Sequence, residues 1–508
     1  MNLTYCLGIN WDNSQLLVIE TFSPILGLIL SINLFTIFLL LIFEKNAKSI
    51  IFFTSITSTF LMFILAIYGY KIFLKNEICS FQLIWTIPII SYFDYSIIFG
   101  VDSLSLCFVI LTTFMLPICI FAAEYTKKDY KLFIIYILII ELSLILTFIS
   151  IDLFLFYISF EIVLIPMFLI ILNWGTRSRK LLAAYYLFIY TLIGSFFLLA
   201  ALIWIYLITG TTKFEIILYM NKELIAGAKG IMFLCLLIPF GIKLPIFPLH
   251  LWLTEAHVEA PTVGSILLAS LLLKLGGYGL LRFLFFISMN CYQYNHFLYA
   301  ISIAGIIFGS IATIRQIDLK RAIAYSSIAH MNVIAVAIFS LTQQGWQGAL
   351  YMMIGHAFVS SAMFFCVGIL YNRHHTRMIR YFGGLVQSMP LYSILFFLFT
   401  IANMSFPGTC NFIGEFLIFL GIADSLAVKE PFILLIFSGF GIILSAIYSI
   451  YLLNRILFGT WKTIYISKFT DVTLTEFMIL FIFASLIIIF GINSELINWV
   501  EFRMPIIK

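Results

Sequence analysis

Fourteen apolar runs, 19 to 35 residues long, take up most of this 508-residue chain. A helix needs about 20 residues to cross roughly 30 Å of hydrocarbon, so each run is long enough to span a bilayer. The runs cover 22–43, 50–70, 101–123, 132–150, 152–174, 181–209, 229–248, 262–284, 296–314, 322–341, 347–371, 389–423, 431–454 and 474–494. Charged residues make up 10% of the chain and hydrophobic residues 63%, against roughly 25% and about 45–50% in soluble domains. Lipid must therefore solvate most of the surface. The expected fold class is an all-α polytopic membrane protein of about 14 transmembrane helices.

Loop charges test the span count. The connections after odd-numbered spans carry 17 Lys and Arg, including Lys45, Arg177, Lys320 and Arg377, and the even side carries 7, including Lys71 and Lys213. An error of one span would scramble this alternation. The odd connections are therefore expected to face the cytoplasm or matrix, with both termini on the other side. A net charge of +5 is small for this length, so nucleic acid is not an expected partner. The eight cysteines form no C-x-x-C pair and read as small buried hydrophobes. No phosphate-cradling glycine loop and no H-E-x-x-H occur. Redox or nucleotide chemistry is thus assigned to other chains. The opening MNLTYCLGINWDNSQ has no basic or Arg-rich amphipathic stretch, so no signal or transit peptide is expected. The abundance of Phe and Ile suits an A/T-rich genome, organellar or bacterial.

Ionisable residues inside spans cost about 2.5–3.5 kcal/mol each on insertion scales and mark function. Here they are Lys243, Lys274, Glu141, Glu161, Glu415, His330 and His356. One such group could serve packing alone, but two lysines, three glutamates and two histidines suit a proton path better. Lys243 stands in IPFGIKLPIFPLH and Glu415 in ANMSFPGTCNFIGEF, where prolines break the helix and free carbonyls at membrane depth. The two breaks are five spans apart, so five-helix units around them would be oppositely oriented. Paired broken helices of this kind point to a transporter's midplane site. Because buried Glu and Lys can exchange a proton, Glu161, Lys243, Lys274, His330 and Glu415 form the expected lateral relay, with Glu141 and His356 secondary. The segment HLWLTEAHVEAP could in principle offer a metal site. Its spacing matches no common ligand pattern, and it is expected instead to cap the seventh span and line an exit on the outer side.

The stretches FEIVLIPMFLI, LPIFPLHLWLTEAHVEAPTVGS, LLKLGGYGLLRF, RQIDLKRAIAYSSIAHMN and ANMSFPGTCNFIGEF resemble the antiporter-like membrane subunits of respiratory complex I (NADH:ubiquinone oxidoreductase). That broader family also includes the Mrp antiporters. Glutamate at position 415 resembles the subunit 4 (bacterial chain M) group, whose paralogues mostly carry lysine there. The resemblance implies fourteen helices with two inverted five-helix repeats, spans 4–8 and 9–13, and broken helices 7 and 12. It implies boundaries of 1–123 for helices 1–3, 132–284 and 296–457 for the repeats, and 458–508 for the last helix and tail. It pairs Glu161 with Lys243, and it places Lys274 centrally, His330 as the connector and Glu415 at the distal site.

The implied function is a proton-translocating, cofactor-free subunit of an enzyme whose FMN, iron–sulfur clusters and ubiquinone reside on partner subunits. The implied partners are the paralogous subunits 2 and 5 and lipids, with no soluble substrate bound directly. The implied location is the mitochondrial inner membrane, with a bacterial plasma membrane as second choice. The alternatives are an Mrp-type sodium/proton antiporter and a scaffold whose charges only join helices.

Single cysteines placed in the Thr176–Lys180 and Asn372–Arg380 loops should react only with reagent supplied on the matrix or cytoplasmic side. Labelling of either loop from the outer side would overturn the span count.

Overall fold

The computed structural model describes residues 24–75, 81–90, 95–124, 128–214, 216–217, 226–288, 294–425, 431–460, 470–497 and 499–500. Both chain termini lie outside the described residues, as do Lys127, Lys222, Lys429, Lys462, Lys468, Arg503 and Lys508 among the loop charges and Cys6, Cys79 and Cys291 among the thiols. The remaining five cysteines are unbridged, and four of them are buried.

Every apolar run is helical. Among the described residues, twelve helices of 18 or more residues are apolar enough to cross a membrane. The seventh and twelfth runs are each broken in two: Ala226–Lys243 is followed by Leu251–Glu259, and Pro390–Asn403 by Cys410–Ala423. Within the fifth run, Leu153–Ile162 and Leu164–Trp174 meet at Val163. Contacts divide the chain into two compact units. The first comprises Met1–Ile120, Asp129–Val163 and Thr209–Tyr219, and the second comprises Phe121–Lys128, Leu164–Ile208 and Met220–Lys508.

In the first unit, the connection after the second span folds as an antiparallel hairpin, β1 (Gln82–Ile90) against β2 (Tyr95–Val101). This element was not expected from the apolar pattern. Phe99 bridges Ser150, and Asp152 bridges Lys213 while accepting a 2.8 Å hydrogen bond from Thr212. The connections after spans 2, 4 and 6 are thus stitched together at one end. At the other end, Lys131 Nζ donates to the carbonyls of Leu41 and Phe43.

The second unit follows the same parity. The amides of Thr176 and Leu319 donate to the carbonyls of Glu259 and Arg377, and the amide of Gly384 to that of Phe458. These bonds join the connections after spans 5, 7, 9, 11 and 13. Thr342 Oγ1, after span 10, instead donates to Gly421 at the end of span 12. Odd connections meet odd and even meet even, as the charge alternation requires.

Packing separates the spans into two classes. The central stretches of Thr262–Phe283 and Gln343–His374 are 100% buried and that of Leu319–Phe339 94% buried, whereas that of Pro431–Leu457 is only 28% buried. Apolar side chains such as Phe432, Leu207 and Ile492 stand outward on the peripheral helices. A face of this kind needs lipid against it.

Each break has partners for the carbonyls it frees. In the seventh span, Trp252 Nε1 donates to Ile242 at 2.8 Å and Asn332 Nδ2 to Pro245 at 3.2 Å. In the twelfth, Asn411 Nδ2 donates to Ala402 at 3.1 Å. An unpaired carbonyl buried at this depth would cost roughly 1–3 kcal/mol. The expectation that HLWLTEAHVEAP caps span 7 and lines an outer exit is corrected. The chain resumes its direction after the prolines as Leu251–Glu259, and Glu259 meets Thr176 at the end shared by the odd connections.

Gly276 lets span 8 cross this break. A Cβ on it would stand 2.5 Å from the Leu244 amide nitrogen and 2.8 Å from the Phe240 carbonyl oxygen. Both are backbone atoms and neither can swing aside. Gly276→Ala should therefore cost about 1–3 kcal/mol, as overpacking does. The assembled protein recovered from membranes should fall and its thermal midpoint drop; an unchanged midpoint would mean that the helices separate freely here.

Candidate functional site

The three most deeply buried spans carry Lys274, His356 and His330. Span 8 begins as Thr262–Leu267 and continues through one π turn, Leu268–Leu272, into Leu273–Ser288. In this turn the Leu273 amide bonds to the carbonyls of Leu268 and Leu271, bypassing that of Ala269. The Ala269 carbonyl accepts instead from Lys274 Nζ at 2.5 Å. The side chain thus binds its own helix on one side. On the other, Nζ lies 2.9 Å from His356 Nδ1. An ammonium buried this deeply requires such partners.

From His356 the polar line continues across spans 11, 10 and 12. The His356 and His330 rings lie 5.8 Å apart between centroids. His330 Nδ1 is 3.8 Å from Glu415 Oε1, and His330 Nε2 is 3.3 Å from the Tyr448 hydroxyl. The second unit thus holds a succession of titratable side chains, Lys274, His356, His330 and Glu415, all of them buried. Sequence reading ranked His356 as secondary. The structure places it between Lys274 and His330.

The remaining candidates are Lys243, Glu161 and Glu141. Lys243 is buried at the end of Ala226–Lys243, against the crossing with span 8, in the second unit. Glu161 belongs to Leu153–Ile162 in the first unit. Glu141 is fully buried in the first unit, where its Oε2 accepts from Asn33 Nδ2 at 3.2 Å. That contact ties Tyr130–Ile149 to Ile25–Ile42.

Comparison with known proteins shows the family. The model of the NADH:quinone oxidoreductase/Mrp antiporter transmembrane family matches residues 150–445, more than half of the chain. The chain belongs to this family. "NADH-ubiquinone oxidoreductase chain 4" of Marchantia polymorpha is 43% identical over 93% of this chain and 94% of its own length. The Arabidopsis thaliana protein of the same name is 46% identical over 80% of this chain and 81% of its own. Among solved structures, a chain of respiratory complex I from Thermus thermophilus with bound NADH superposes with a TM-score of 0.81. It is 26% identical, and the match covers 92% of this chain and 95% of that one.

This member of the family also has a second ionic cluster, which sequence reading dispersed among loop charges. Arg377 is almost fully buried, donates from Nη1 to the Val258 carbonyl, and places Nε 3.5 Å from Asp318 Oδ2. Arg177 Nη2 reaches the same oxygen at 3.3 Å. Burial pushes the Arg377 guanidinium below its ordinary value, and Asp318 opposes that shift. Lys320, also buried, donates to the Ala260 carbonyl at 2.8 Å and to Ser265 Oγ at 3.4 Å. Arg321 pairs with Glu255 at 2.6 Å. Lys320 and Arg377 are therefore not solvated loop charges, because converging connections cover them.

Two histidines of the HLWLTEAHVEAP segment are stacked on aromatic rings. His257 stacks on Phe364 at 4.7 Å and His250 on Phe247 at 5.5 Å, and their ring nitrogens make no hydrogen bond among the described residues.

Asp318→Ala should strand the Arg377 charge in the interior. Removing one partner of a buried pair costs about 3–5 kcal/mol, so folded protein should decline sharply, with Asp318→Glu retaining part of it. A thermal midpoint equal to wild type for the alanine variant would refute this role.

Proposed function

We propose that the chain is the subunit 4 type component of the membrane arm of NADH:ubiquinone oxidoreductase, and that it carries protons across the membrane along its buried titratable line. The observation that carries this reading is the buried succession Lys274–His356–His330–Glu415, three of whose members stand on the most deeply buried spans. Each neighbour in it can take a proton from one side and yield one to the other. Scaffolding alone would be met by hydroxyls and amides at lower desolvation cost.

In this reading the electron chemistry belongs to partner subunits that hold FMN, iron–sulfur clusters and ubiquinone. The paralogous subunits 2 and 5 flank the chain, in the inner membrane of a mitochondrion. Glu161 and Lys243 feed the line from the first broken helix, and Glu415 is its distal end. Support for complex I over an Mrp-type antiporter comes from the names of the chain 4 relatives and from the length they share with this chain. It also comes from the acidic residue at 415, which resembles that group.

Loss of a positioned acid–base group slows proton transfer typically by about 10²–10⁴-fold. Lys274→Met, Lys243→Ala, His356→Leu and Glu415→Gln should each leave an assembled complex with strongly reduced NADH-driven proton transfer in sealed vesicles. Wild-type proton-to-electron ratios for the Lys274 and Glu415 variants would defeat the proposal. Proton movement driven by a sodium gradient in the isolated chain would favour the antiporter.

A further inference from the structure

Two small cavities lie above and below one side chain. The first, of about 20 Å³, lies between the last turn of span 9 at Thr313, the first turns of span 10 at Ile323 and Ser326, and Asn403, with Ile379 at its rim. The ends meeting there are those of odd connections, so it opens toward the face assigned to the matrix or cytoplasm. The second, of about 10 Å³, is lined by His330, Glu415, Ser310, Ser438 and Ser445. Tyr448 is the residue that lines both. About 10–15 Å³ accommodates one water, so each cavity is of single-water size, the second at the lower limit.

The lining is built to accept hydrogen bonds. Ser326, Thr313 and Ser449 spend their protons on helix carbonyls at Ile323, Ser310 and Ser445, at 2.8, 2.5 and 2.7 Å. Ser445 and Ser438 do the same below, each at 2.7 Å. Their oxygens retain lone pairs for a water in the cavity. Hydroxyl oxygens thus stand among apolar neighbours on both sides of the phenol.

We propose that Tyr448 is a proton gate linking an inner-side hydrated conduit to His330, so that His330 is a junction between this vertical path and the lateral line from Lys274. This deepens the proposed function and rests on it. The step balances as a relay. A hydronium in the first cavity gives a proton to Tyr448 Oη as the original Oη–H bond breaks and Nε2–H of His330 forms across 3.3 Å. Nδ1–H then breaks, and O–H forms on the Glu415 carboxylate across the 3.8 Å gap. The hydronium has become water, the carboxylate a carboxylic acid, and tyrosine and histidine are again neutral. The proton left on Nε2 must return to Nδ1 before the next transfer.

The test uses the assembled complex in sealed vesicles. Tyr448→Phe keeps the ring and deletes the relay oxygen, and Ser326→Val removes a hydroxyl from the first cavity one helical turn from His330. Both variants should assemble, and both should slow proton transfer through this chain by about a hundredfold, seen as a lowered proton-to-electron ratio. Tyr448→Ala, which widens the constriction, should leak protons when a gradient is imposed without NADH. Wild-type ratios for both Tyr448→Phe and Ser326→Val overturn the gate, whatever Glu415→Gln does. A wild-type ratio for Glu415→Gln overturns instead the reading on which the gate rests.

Discussion

An ammonium group in the middle of a helix that lipid does not touch has to be held by the protein itself, and the second unit is organised around that requirement at Lys274. One acceptor comes from the lysine's own helix, because the π turn leaves the Ala269 carbonyl to the side chain. The other comes from span 11, whose central stretch must then be as deeply buried as span 8. Closeness of this order needs small residues, and Gly276 supplies it where span 8 passes the broken backbone of span 7. The glycine, the π turn and the histidine are thus three parts of one solution to a desolvated charge.

The broken helices obey the same rule for neutral groups. Asn332 on span 10 serves the break in span 7, and Asn411 serves the break in its own span 12. Both amides lie in the neighbourhood of titratable residues: Asn332 is two residues from His330, and Asn411 four from Glu415. Backbone repair and proton chemistry therefore share the same turns of helix, so substitutions meant to probe one will disturb the other.

How much of this was legible beforehand varied with the physics. The fourteen runs could be read because a bilayer demands length and apolarity, and both are local properties. Parity of the connections could be read from charge. The hairpin could not: QLIWTIPII is a nine-residue apolar run carrying a proline, ambiguous between strand and buried helix. The second half of span 7 was lost because LWLTEAHVE carries two glutamates and a histidine, too polar to read as membrane-spanning. Of the site, the titratable residues were visible as charges in the wrong solvent. Their order was not, since His356 takes its place between Lys274 and His330 only through the facing of three helices. Lys320 and Arg377 looked solvated because burial by converging connections leaves no local mark.

The π turn in span 8 sets a register. Residues Leu268–Leu272 accommodate one residue more than regular α-helical winding would. One residue corresponds to about 100° of rotation about the helix axis. Everything C-terminal to the turn, Lys274 included, is therefore presented a step out of phase with the segment that precedes it. Were the turn to relax into ordinary helix while the segment before it stayed docked, Lys274 would rotate away from His356. Such a change of winding would need no displacement of the span as a whole, only a shift of the defect in its hydrogen bonds.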